Sequence, residues 1–111
     1  MGTLPKHFVN FTKDYPDLAK AHEAFGKECH AAGPLNEKTR ALVKLGIAIG
    51  SRQEGAVHAQ ARKAAEIGIR PEELRHAACL AMPTIGFPAA MAALSWIDDI
   101  VQRKKRAARK K

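Results

Sequence analysis

Glycine and proline divide this chain into segments of helix length, and that punctuation limits the possible folds more than any single motif. Gly33-Pro34, Gly50, Gly68 and Gly86-Phe87-Pro88 separate stretches whose apolar residues recur every three or four positions. No stretch shows the β-branched alternation of a strand, so the chain reads as all-α, with about five helices. The first is predicted from near Asp14, with Pro16 in an early turn, through Leu18, Ala21, His22 and Phe25 to about Ala32. The second starts at Asn36, a residue suited to cap, and sets Leu42, Leu45, Gly46 and Ile49 on one face before Gly50 ends it. The third starts at Ser51, which with Glu54 has the spacing of a capping box, and stops at Gly68, placed as a C′ glycine. The fourth opens on Pro71, with Glu72 and Glu73 at the positive end of its dipole. The fifth runs from Phe87-Pro88 through Met91, Leu94, Ile97 and Val101 into a basic tail.

A chain of 111 residues suits one domain, expected over residues 1–102, with 103–111 as the tail. The formal net charge of +8 invites a nucleic-acid reading, but its distribution weakens that reading for the body. Residues 103–111 hold seven Lys or Arg and no acid, whereas residues 1–101 hold twelve bases against eleven acids. With six aromatic residues and no stacking pattern, the body does not resemble a nucleic-acid domain, so an anionic partner is expected only at the tail. The apolar run Ala77 to Ile97 is broken by Pro83, Thr84, Gly86, Pro88 and Ser95, which argues against a membrane span. Without a signal-peptide pattern or paired cysteines, a cytoplasmic location with Cys29 and Cys79 reduced is the expectation. The start of the fifth helix is apolar nearly all round, from Phe87 to Trp96, and Trp96 is a candidate for exposure. One small core cannot cover every side of such a helix, so a homo-oligomer joined through helix faces is predicted.

The residues able to do chemistry are few. Glu54 and His58 stand at i and i+4, so they share a helix face, and Arg62 extends it by a further turn. That row offers an acid, a titratable base and a cation suited to an anionic group. Cys79 follows His76 by three residues, a spacing that could activate a thiol, but its neighbours Ala77, Ala78, Leu80 and Ala81 favour a place in the core. No metal-ligand spacing links His7, His22, His30, His58 and His76, and no glycine-rich phosphate loop is present. Neither a metal nor another cofactor is expected.

The order of "LNEKTRALVKLGIAIG", "EGAVHAQARKAAEIGIRPEEL" and "TIGFPAAMAALSW" resembles the carboxymuconolactone decarboxylase family, which includes the AhpD-like alkylhydroperoxidase proteins. The resemblance covers about residues 35–100. It implies an all-helical fold, a trimer or hexamer, and peroxidase or lactone-decarboxylase activity. Peroxidase members carry C-x-x-C at the start of the third helix, a histidine four residues later and a glutamate on the preceding helix. Carried onto this chain, those positions are Gln53, Ala56, Gln60 and Ala41. The dithiol is therefore absent, and Gln60 joins Arg62 as a candidate substrate contact. Two functions stay open: acid-base chemistry by Glu54 and His58 on a small carboxylated or peroxidic molecule, or a non-catalytic oligomer that binds a ligand, with its tail for an anionic partner.

Overall fold

The computed structural model describes residues 5–109. Its elements are α1 (Lys6–Asp14), α2 (Pro16–Ala31), α3 (Glu37–Ser51), α4 (Glu54–Glu66), α5 (Pro71–Ile85) and α6 (Phe87–Arg109), and no strand occurs among the described residues. The all-α reading holds, with a further helix, α1, ahead of those expected from the sequence. No described helix is long and apolar enough to cross a membrane. The tail residues Arg103 to Arg109 continue α6 as helix, while Lys110 and Lys111 lie outside the described residues.

The chain divides into two compact units between Leu35 and Asn36. The first holds α1 and α2, which pack on each other. The rings of Phe11 and Tyr15 meet at a centroid distance of 5.7 Å with a tilt of 36°, and Thr12 Oγ1 donates to the Val9 carbonyl at 2.7 Å. Neither helix has a buried residue, and Leu18 and Phe25, seven residues apart on α2, are exposed.

The second unit contains the core. Leu45, Ala48 and Ile49 of α3, Val57, Ala61, Ala64 and Ala65 of α4, Leu74 and Ala78 of α5, and Ala93, Ile97, Ile100 and Val101 of α6 form one buried cluster, joined by Ile69. Alanine at Ala61, Ala64 and Ala65 lets the backbones come close, as expected of a stripe of small side chains at helical spacing.

The predicted termini test the local reasoning. Asn36 Oδ1 accepts the Thr39 amide at 2.9 Å, so the cap on α3 is as read. At the end of α4 the Gly68 amide donates to Ala65 and the Ile69 amide to Ala64, each at 3.1 Å, closing a Schellman motif with Gly68 at φ 94°. Pro71 opens α5, and the Glu73 carboxylate takes the Arg70 amide at 3.0 Å.

The Ser51–Glu54 capping box does not form. Helix α3 continues through Gly50 to Ser51, and Ser51 Oγ donates to the Ala48 carbonyl at 2.6 Å, so its hydroxyl is used within the preceding helix. The left-handed residue that ends α3 is Arg52, at φ 58° and ψ 33°, rather than Gly50. Gln53 then leads into α4 without a side-chain cap, and Glu54 is the first helical residue. Trp96 is half-buried and packs against the core, so the exposed tryptophan is also corrected: its spacing brings it to the rim of the buried face of α6.

Candidate functional site

Relieved of capping, the Glu54 carboxylate stands in the first turn of α4 with 58% of its side chain exposed. One turn later His58 has a side chain only 18% exposed, because α6 packs beside α4 and covers it. Its Nε2 lies 3.9 Å from Glu54 Oε2 and 3.0 Å from Asp99 Oδ2 of α6. Buried Val57 and Ala61 on α4 and Ile97 and Ile100 on α6 turn the opposite flanks into the core, and this leaves His58 and Asp99 facing along the seam between the helices. Asp98 is engaged elsewhere, accepting from Arg75 of α5 at 2.6 and 2.7 Å.

An ionised carboxylate can only accept, so at 3.0 Å the shared hydrogen belongs to His58 Nε2. In the neutral ring this makes Nδ1 the acceptor nitrogen. The donor atoms of Glu54, His58 and Asp99 all lie within 4.8 Å of one another, a separation at which they could also share a cation. Exposed carboxylates commonly gather in this way without one. Glu54 and His58 are thus brought together as their spacing required, while Asp99, 41 residues along the chain, was invisible to local pattern. The sequence shows only two adjacent acids, Asp98 and Asp99, on the segment that became α6, and nothing local tells which of them meets His58.

The other candidates separate. Arg62 is half-buried one turn beyond His58 on the same face, whereas Gln60 is half-buried about 200° around the helix from His58. Of the positions that the sequence resemblance equates with a cysteine pair and a glutamate, Gln53 is the exposed N-cap of α4, Ala56 lies in its first turn, and Ala41 packs against the core from α3. Cys79 is exposed, contrary to the core position expected from its apolar neighbours. The buried stripe of α5 passes through Leu74 and Ala78 and leaves Cys79 the next position round the helix. Among the described residues no hydrogen bond joins Cys79 to His76. His76 instead lines an open groove of about 560 Å³ between α3 and α5, with Leu42, Gly46, Ala77, Leu80 and Thr84. At the edge of that groove Glu73 meets Lys38 Nζ at 2.7 Å. That hydrogen bond first, and the Arg70 amide second, hold the Glu73 carboxyl down at about 2. None of Glu54, His58, Arg62 or Cys79 lines the groove.

An uncharacterized protein of Haemophilus influenzae is 33% identical to this chain over 61 residues, 55% of this chain and 54% of the relative. The chain spans about half the length of that curated relative. No solved structure matches. The family model described as carboxymuconolactone decarboxylase family matches residues 16–99, a span that takes in α2 to α5 and α6 as far as Asp99. The chain belongs to the carboxymuconolactone decarboxylase family.

Proposed function

We propose that the protein is an acid-base enzyme of this family, acting on a small carboxylated or peroxidic molecule without a cysteine pair. The observation that carries this reading is the 3.0 Å contact between His58 Nε2 and Asp99 across the α4–α6 seam. A carboxylate placed there holds the ring in one orientation and one tautomer, and stabilises the imidazolium when the ring takes a proton. His58 is the proton-transferring group, through Nδ1, and Asp99 is its positioning residue. Glu54, at 3.9 Å, is the second acid of the site, and Arg62 is the contact for an anionic group of the substrate. The reading is tested by turnover of lactone and hydroperoxide substrates with the wild type, His58→Ala, and a thiol-free Cys29→Ser/Cys79→Ser chain. Loss of activity in the thiol-free protein alone would replace it with a one-cysteine mechanism.

The same reading includes a cytoplasmic homo-oligomer, a trimer or hexamer. Phe87 and Met91, on the first turns of α6, are 60% and 45% exposed, and a second subunit is the natural cover for them. The second reading, a non-catalytic ligand binder, is favoured by one observation: the groove between α3 and α5 contains none of the proposed catalytic groups. A ligand that binds with unchanged affinity to His58→Ala, combined with no turnover, would select it.

A further inference from the structure

We propose that the C-terminal part of α6, together with the end of α4 beside it, forms a docking surface for the phosphate backbone of duplex DNA. Two contacts set the register of these helices: His58 with Asp99 at 3.0 Å, and Lys104 Nζ donating to the Ala65 carbonyl at 3.1 Å. They occur in the same order along both helices, so α4 and α6 run side by side in one direction. Between them stand Arg62, four residues after His58, and Arg103, four residues after Asp99. Helical spacing places both on the seam. Arg106 continues the face of Arg103 at i+3, and Lys105 and Arg109 share the adjoining face at i+4; all four are exposed.

Along the seam the acids Glu54 and Asp99 give way to Arg62, Arg103, Lys104 and Arg106, with Glu66, one turn after Arg62, the single acid among these cations. No acid follows Asp99 in the chain. Lys63, the neighbour of Arg62, has its ammonium pushed below the usual lysine range by burial first, then by the charges of Lys44 and Arg62, with Glu66 opposing. The Lys104 contact fixes α6 against α4 at this point, so the basic segment is held as helix rather than trailing free.

The chemistry of the surface selects its partner. Residues 102–109 contain no aromatic or large apolar side chain, and a lone Ile67, 41% exposed at the end of α4, offers too little to anchor in a lipid interface and no ring to stack on single-stranded bases. What remains is a row of cations, sufficient for phosphate contacts that carry no sequence preference. Only the end of α6 beyond Lys104 extends past α4, which stops at Glu66; a single helix there, about 10–12 Å across, fits the B-form major groove of about 12 Å, whereas the A-form groove of RNA is too narrow for it.

The test is fluorescence anisotropy of a short labelled duplex with the full chain. Engagement of about four to six phosphates predicts a slope of log K against log salt of about −3.6 to −5.4, and a loss of affinity of roughly 10²–10³-fold between about 50 and 200 mM salt. Lys105→Glu/Arg106→Glu/Arg109→Glu should abolish binding while its circular dichroism stays that of the wild type. Arg62→Gln/Arg103→Gln should flatten the slope by about 2. The proposal is overturned if the wild type does not bind, or if a single strand or vesicles rich in phosphatidylserine are bound as tightly as the duplex. It is equally overturned if the Arg62/Arg103 pair leaves the slope unchanged, since a loose basic tail would then suffice.

Discussion

Arg52 ends α3 in the left-handed region, at φ 58° and ψ 33°, and the next two residues start the helix that carries His58. A side chain there costs about 1–2 kcal/mol, because its Cβ crowds the following carbonyl. Two terms oppose that cost. The guanidinium donates to the Ile85 carbonyl at 3.3 Å, an exposed, long bond worth at most about 0.5 kcal/mol. A non-glycine residue also restricts the unfolded chain, an advantage of up to about 1 kcal/mol over glycine. Arg52→Ala keeps the strained backbone and loses the bond, so it should destabilise by about 0.5 kcal/mol. Arg52→Gly loses the bond but relieves the strain, and should lie about 0.5–1 kcal/mol above Arg52→Ala in stability. The difference corresponds to a few degrees in Tm, since about 1 kcal/mol shifts a domain of this size by roughly 4 °C or more. Urea unfolding of both variants, followed by circular dichroism, measures it. If Arg52→Gly were the less stable of the two, the left-handed turn would not be strained, and the contact with Ile85 would be what holds the α3–α4 junction.

Two further outcomes are expected. Glu73, held at about 2 by Lys38 and then by the Arg70 amide, contributes stability that is fully present above the ordinary glutamate range and is lost as pH falls from about 4.3 toward 2; Glu73→Gln should remove that part of the acid-unfolding slope, and Lys38→Met should return the Glu73 carboxyl toward its usual value in an NMR titration. Light scattering at micromolar concentration should give a trimer or larger, and Phe87→Glu/Met91→Glu should shift it toward smaller species, whereas a wild-type monomer of 12.1 kDa would remove the interface.

Local signals were legible in the sequence where one residue type answers a single backbone demand. Asn36 caps α3, Gly68 supplies the positive φ that closes α4, and Pro71 opens α5, each settled by chemistry within a few residues. Ser51 and Glu54 show how such a signal fails. A serine can bond back to a carbonyl of the preceding helix as readily as forward to a free amide, and here it takes Ala48. Cys79 was misplaced for a related reason: alanine-rich surroundings do not reveal which side of α5 turns inward, and a shift of one residue from Ala78 moves a side chain from core to surface. At the candidate site the Glu54–His58 pair followed from i, i+4 geometry. Asp99 did not, because its approach depends on how α6 packs on α4, a tertiary fact with no local spacing to announce it.

The most direct measurement is turnover of a lactone or hydroperoxide substrate by four chains: wild type, His58→Ala, Asp99→Asn and Cys29→Ser/Cys79→Ser. Removal of a general acid-base group should lower kcat by about 10²–10⁴-fold. His58→Ala is predicted to fall in that range with its fold intact. Asp99→Asn, which keeps the shape but can present an amide donor to Nε2, should lower kcat less severely, with a changed pH–rate profile and little change in KM. The thiol-free chain should keep the wild-type rate. Full activity in His58→Ala, or activity lost only when the cysteines are removed, would contradict an acid-base site on the α4–α6 seam.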